Sequence, residues 1–225
     1  MSASLLKVRG LGKAYKDLVA LEPLDLDIAA GELVVLVGHN GAGKTTLTNM
    51  IAGLLEPTEG EVEVAGHPAG TSPARAHLSY LPDSPSLYDD LSVREHAQYI
   101  AGLHDLEDWS ERTEELLDRL LLKERADDLP SRFSRGLRQK TSILLGLVRP
   151  FSLLVADEPF VGLDAAGRET FIELMRGAAG DGAGVLVSTH QLEFIQHADR
   201  LLALRNGSLI YDGPARGADL SELAS

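Results

Sequence analysis

The stretch "LVVLVGHNGAGKTT", Leu33 to Thr46, decides the reading of the fold. Its first five residues are a continuous apolar run, as expected of a strand buried on both faces. Glycines at 38, 41 and 43 follow, then Lys44 and Thr45, in the pattern G-x-x-x-x-G-K-[ST]. A helix is expected over roughly Lys44–Leu54. These residue types suit one task. Glycines let backbone N–H groups curl around anionic oxygens. The helix N-terminus adds partial positive charge. Lys44 supplies a full charge for terminal phosphates, and Thr45 offers a hydroxyl to Mg²⁺. A strand-to-helix turn that held no ligand would need neither the lysine nor the threonine.

Working outward, strands are expected at "LLKVRG" (5–10), "LVALEPLDLDI" (18–28), "GEVEVAG" (60–66) and Ala76–Leu81. From Ser84 to about Arg149 the character is helical. Ser92 with Glu95 three residues on has capping-box spacing. A second helix begins at Ser110 and a third is "SRGLRQKTSILLGLVR". The alternation then resumes: strand "FSLLVADEP", helix Ala165–Ala179, strand "GVLVST", short helix "QLEFIQHA". "RLLALRNGSLIYDG" reads as a hairpin turning at Asn206-Gly207. Alternating strand and helix argues for a largely parallel α/β sheet interrupted by a helical insertion.

Composition bounds the function. The 225 residues carry a formal net charge of -13, which counts against nucleic acid as a partner and against adhesion to anionic lipid. There is no cysteine, so disulfides and thiolate metal sites are excluded. "MSASLLKVRG" lacks a signal-peptide apolar run. No stretch approaches the ~18 uninterrupted apolar residues of a membrane span. A cytosolic, soluble protein is expected.

"LLVADEP" delivers Asp157 to the C-terminal end of a strand, where ligands bind in open parallel sheets. Asp157 can hold Mg²⁺, and Glu158 can polarise a water for attack on a γ-phosphate. With the Gly-rich loop, this establishes a P-loop nucleotidase. "FSRGLRQK" makes Ser134 and the N–H groups near Gly136 a second anion-binding helix end. The chain thus has two phosphate sites but one nucleotide-binding lysine. "VSTH" puts His190 at the end of a strand, where an imidazole could reach a γ-phosphate.

With these motifs in this order, and with "GLD" at Gly162–Asp164, nearly the whole chain resembles an ATP-binding cassette (ABC) ATPase subunit of a transporter. The resemblance implies an α/β P-loop NTPase core with a mostly parallel sheet, an N-terminal antiparallel β lobe and an inserted α-helical lobe. It implies a single domain, 1–225, with 1–83 and 150–225 as core and 84–149 as the helical lobe. ATP and Mg²⁺ are the implied cofactors. Tyr15, Gly38, His39, Asn40, Gly41, Ala42, Gly43, Lys44, Thr45 and Thr46 would bind ATP. Glu158 would be general base, with His190 and Lys44 catalytic. Ser134, Arg135, Gly136 and Leu137 would close over ATP held by the opposite subunit. Asp164 would communicate across that dimer, and Thr45, Asp83 and Asp157 would serve the metal. Two chains sandwiching two ATPs head to tail would resolve the one-lysine puzzle. The implied partners are that second cassette and a separate membrane-spanning permease, with the chain peripheral on the cytoplasmic face and export as the expected direction. The alternatives are a soluble ABC ATPase acting on a cytosolic assembly, ribosome or DNA, and an unrelated P-loop GTPase or kinase. Against the last, no guanine-reading N-K-x-D is present.

The sequence departs from the family pattern at several points. Arg135 replaces the first signature glycine, Leu137 replaces Gln, and Phe160 stands where a polar residue is usual. These signature variants resemble the branch serving two-component exporters. In "YLPDSP" (80–85), Asp83 stands where the family offers a Gln to Mg²⁺ and water. Two unit charges ~4 Å apart at an effective dielectric near 20 interact by about 4 kcal/mol. Asp83 must therefore approach Mg²⁺ more closely than the γ-phosphate, stay out of the site, or only shape a Pro-rich turn.

Overall fold

In the computed structural model, which describes residues 4–16 and 18–218, one-faced strands come first. Ser4–Tyr15 (β1) and Leu18–Ala29 (β2) alternate buried and exposed side chains, with Leu6, Val8, Leu24, Leu26 and Ile28 turned inward. They pair antiparallel, and Glu59–Val64 (β4) and His67–Pro68 (β5) complete a four-stranded sheet in the order β2-β1-β4-β5. The second sheet has six strands. Leu33–Val37 (β3), Leu153–Asp157 (β7) and Gly184–Thr189 (β8) are buried along their whole lengths, as their apolar runs require. With Leu78–Leu81 (β6), Arg200–Arg205 (β9) and Ser208–Pro214 (β10) the order is β10-β9-β3-β8-β7-β6. Strands β9, β3, β8 and β7 run parallel. Strand β10 returns antiparallel through Asn206 (φ 50°) and Gly207 (φ 82°), the left-handed pair of a two-residue hairpin turn.

The helix Lys44–Ile51 (α1) packs against strands of both sheets. Its Leu47, Met50 and Ile51 join Leu6, Ile28 and Val155 in one core. Burying each such side chain is worth about 1.5–3 kcal/mol. Helix α1 stops three residues short of the expected Leu54. Gly53 (φ 68°) reverses the chain, its N–H donating to Met50 O and that of Leu54 to Asn49 O. This is a Schellman stop. A second difference concerns Ala76–Leu81, expected as strand. Thr71 caps Ser72–His77 (α2), accepting from Ala74 N, with Pro73 in the first turn, so the strand begins only at Leu78.

The chain divides into two compact units. Met1–Tyr80, Phe151–Glu158 and Met175–Ser225 form the first, which holds the sheets just described. Leu81–Pro150 and Pro159–Leu174 form the second, so the helical unit also takes in the segment after Glu158. Within it, Val93–Leu103 (α3), Trp109–Arg119 (α4) and Arg135–Leu147 (α5) pack together, and Ala97, Leu116, Leu117 and Ile143 on them are fully buried. The start of Ala165–Gly180 (α6) belongs here too. The capping box of α3 forms: Ser92 Oγ accepts from Glu95 N, and the Glu95 carboxylate accepts from Ser92 N at 2.8 Å. Helix α4 starts at Trp109 without a side-chain cap, so Ser110 lies inside it. "QLEFIQHA" is a 3-10 helix over Leu192–His197, in the first unit. Phe160, conspicuous in the sequence, is a core residue, packed edge-to-face on Phe171 with ring centroids 5.7 Å apart.

Candidate active site

Strand register assembles the site in the first unit. Val37 lies opposite Thr189, and Asp157 opposite Ser188. The neighbouring strands β3, β8 and β7 therefore end at one sheet edge. Residues following them, Gly38–Thr46, His190 and Glu158, emerge side by side.

The Gly-rich loop is held in place by backbone fit. A side chain at Gly38 would meet Leu204 O at 2.5 Å. Gly43, with φ 106°, caps α1, and a side chain there would meet Ala20 O at 2.8 Å. Gly207 N donates to Ala42 O at 3.0 Å and Glu22 N to Gly207 O at 2.8 Å, so the β9–β10 turn braces the loop from behind. No acidic residue occupies the first turn of α1, which leaves its N-terminal N–H groups to an anion. Thr45 is exposed.

Lys44 is buried, at 6% exposure. Its ammonium donates to Gly38 O at 2.7 Å and lies 3.2 Å from Glu158 Oε1. The other oxygen of Glu158 lies 2.9 Å from His190 Nδ1 and accepts from His190 N at 3.3 Å. A carboxylate only accepts, so this contact puts the imidazole proton on Nδ1. Glu158 sits at φ 47°, its N–H donating to Ser188 O at 3.0 Å. One carboxylate thus spans the lysine of the loop and the histidine after β8.

Asp157 is 1% exposed. Ser188 Oγ donates to its Oδ1, while Oδ2 is buried with no partner among the described residues. A buried carboxylate oxygen without a donor is costly unless something positive meets it. This donor set, a lone carboxylate oxygen with a threonine hydroxyl in the first turn of α1, fits a hard divalent cation such as Mg²⁺. Ser188 was not anticipated as a site residue. It adjoins His190 in "STH", but only the register of β7 against β8 shows that it touches Asp157.

Tyr15 is exposed at the end of β1, with Lys13 Nζ 5.0 Å over its ring, so one ring face already bears a cation. His96 is structural, with Nδ1 2.8 Å from Ser92 O and Nε2 accepting from Tyr88 N at 2.9 Å. His67 and His77 stack on each other.

In the second unit Ser134 is exposed and caps α5, its Oγ accepting from Leu137 N at 3.3 Å. A side chain at Gly136 would meet Gly162 O at 2.5 Å, so only glycine fits there. Asp164 accepts from Gly167 N at 2.9 Å and lies 3.3 Å from Lys140 Nζ. The Gly167 N–H, then Lys140, hold its carboxyl below the usual range. Asp83 pairs with Arg135, Oδ1 to Nη2 at 3.6 Å.

A family model described as ABC transporter matches residues 21–161. This chain belongs to the ABC transporter family. It is an ATPase of that family, the ATP-binding subunit of a transporter. It is 36% identical to the SkfA peptide export ATP-binding protein SkfE of Bacillus subtilis, over 92% of this chain and 88% of that protein. Relatives named for import match as well, among them the phosphonates import ATP-binding protein PhnC of Anaeromyxobacter dehalogenans, 33% identical over 97% of this chain and 47% of its own. Among solved structures, an ATP-binding subunit of an ABC transporter superposes with TM-score 0.90 at 34% identity, covering 97% of both chains. A dimeric ATP-binding cassette in a post-hydrolysis state, bound to ADP and Pi, superposes with TM-score 0.86 at 25% identity, covering 95% of this ABC chain and 100% of the other.

Proposed function

We propose that the chain hydrolyses ATP to power an exporter, as one of two cassettes closed head to tail and attached at the cytoplasmic face to a separate membrane-spanning permease. The observation that carries the chemistry is the Glu158 carboxylate shared between Lys44 and His190. When triphosphate enters the Gly-rich loop, Lys44 turns from Glu158 to the terminal phosphates. Glu158 is then free to accept a proton from water. The water oxygen attacks the γ-phosphorus, the bond to the β-phosphate oxygen breaks, and ADP and inorganic phosphate result. His190 releases Glu158 and turns its Nδ1–H to an oxygen of the transferred phosphoryl group. Thr45 and Asp157 would hold Mg²⁺, which supplies positive charge against the phosphate oxygens. Tyr15 would stack on adenine, and Ser134 with Gly136 would meet the partner's nucleotide. Export as the direction is supported by the similarity to SkfE and by the style of the signature at Ser134–Leu137. Among the described residues no helix is long and apolar enough to cross a membrane, which agrees with a permease on another chain.

Glu158→Gln tests the base. ATP binding should persist while turnover drops by about 10²–10⁴-fold, with an ATP-dependent dimer accumulating. Wild-type turnover in that variant would refute the assignment. Affinity purification from detergent-solubilised membranes should bring down a polytopic chain, and inverted vesicles carrying the pair should accumulate cargo on adding ATP. Recovery of soluble partners alone would refute the transporter reading, and ATP-driven loss of cargo from those vesicles would refute export.

A further inference from the structure

The two charged departures from the family pattern, Asp83 and Arg135, meet each other. They lie 3.6 Å apart inside the second unit. Arg135 is the first residue of α5, so it places a cation at the positive end of a helix dipole. That placement is unfavourable by itself and becomes sensible where an anion answers it. The first turn of α5 has no acidic residue, and Asp83 supplies the charge from a loop 52 residues earlier in the chain. The stem of Arg135 runs over Gly162: a side chain built there would meet Arg135 Cγ at 3.1 Å and Cδ at 3.4 Å. Gly136 closes on the same Gly162, its backbone N 3.4 Å from where a side chain there would stand, and Lys140 ties the end of that loop through Asp164. Three segments, the loop at Asp83, the N-terminus of α5 and Gly162–Asp164, therefore converge on one arginine.

We propose that Asp83 and Arg135 form a charge joint that fixes the nucleotide-facing end of α5 to the Asp83 loop, so that the two shift as one. Arg135 is a positioning residue here, and Asp83 serves it rather than the metal. The inference rests on the reading above of α5 as the end that meets the partner's nucleotide.

The test is a double-mutant cycle on the purified full-length chain, with Asp83→Asn, Arg135→Gln and the double variant, and with Arg135→Lys as the conservative control. ATPase rates are followed against ATP at several Mg²⁺ concentrations and at low and high NaCl. Each single variant should raise half-saturating ATP by about two- to fivefold, the scale of an exposed ion pair, with a smaller change in kcat. The double variant should do no more than either single one, because the partner is already lost. High salt should bring the wild type toward the variants, and Arg135→Lys should restore most of the effect. Multiplying effects in the double variant would overturn the joint. So would unchanged half-saturation in both single variants. A shifted Mg²⁺ requirement in Asp83→Asn alone would return Asp83 to the metal. If the joint fails while Glu158→Gln still blocks hydrolysis, only the inference falls and the ATPase reading stands.

Discussion

Replacing Ser188 by alanine probes the most exposed weakness of the buried site. Ser188 is 0% exposed, and its hydroxyl is the donor to Asp157 Oδ1. The second oxygen of Asp157 has no partner among the described residues. Ser188→Ala therefore leaves a buried carboxylate with neither oxygen hydrogen-bonded. A hydrogen bond to a charged group is worth about 1.5–3 kcal/mol, and stranding the charge adds its desolvation penalty to the loss. Chains of roughly 150–250 residues lose about 2–4 °C in Tm per kcal/mol. The hydrogen bond alone should then lower the melting point of the nucleotide-free protein by about 3–12 °C, and the desolvation penalty adds to that. Asp157→Asn removes the charge while keeping the shape. Combined with Ser188→Ala it should recover a good part of the loss, and alone it should melt no lower than wild type while losing the extra stability that Mg²⁺ and ATP together confer. Thermal unfolding of the four proteins, with and without Mg²⁺·ATP, reads all of this. If Ser188→Ala melts within 1 °C of wild type, to order of magnitude on that same scale, Ser188 does not hold Asp157 and the fit for a cation loses its structural basis.

Two smaller perturbations complete the set. Gly53→Ala puts a side chain at φ 68° and within 2.3 Å of Gly70 Cα, so urea unfolding should show a loss of more than about 1–2 kcal/mol, the left-handed penalty alone. An unchanged midpoint would show that the turn relaxes freely. Asp164 titrates below its usual range because Gly167 N–H and then Lys140 favour its charged form. The folded value being depressed, its contribution is complete above the unfolded value and fades as pH falls through the folded one. Wild type should therefore exceed Asp164→Asn in stability at neutral pH, by under about 1 kcal/mol because the side chain is largely exposed, and the two should converge in acid. A gap that widens in acid would reverse the assignment.

Much of this was legible in the sequence because it is local. The apolar run before Gly38, the capping box at Ser92, the helix start at Ser134 and the Asn206-Gly207 turn each depend on residues a few positions apart, and all form as expected. The start of β6 was misread although its signals were also local: Thr71 and Pro73 set up a six-residue helix that the apolar residues nearby obscured. The contacts that define the chemistry were not legible. Lys44 with Glu158, Ser188 with Asp157 and Asp83 with Arg135 join positions 114, 31 and 52 residues apart, and only strand register and helix packing bring them together.

The brace behind the Gly-rich loop bears on where such a cassette can be cut. Gly207 holds Ala42 from a turn that lies 17 residues beyond His190, the last motif residue, and outside the matched segment 21–161. The Leu204 carbonyl that forbids a side chain at Gly38 is contributed by the same hairpin. A fragment ending at His190 would keep the Gly-rich loop, Asp157, Glu158 and His190 and yet lose the wall against which that loop is moulded. A cut before Gly207 would therefore remove the brace that shapes the phosphate-facing loop, although the hairpin carries none of the motif residues.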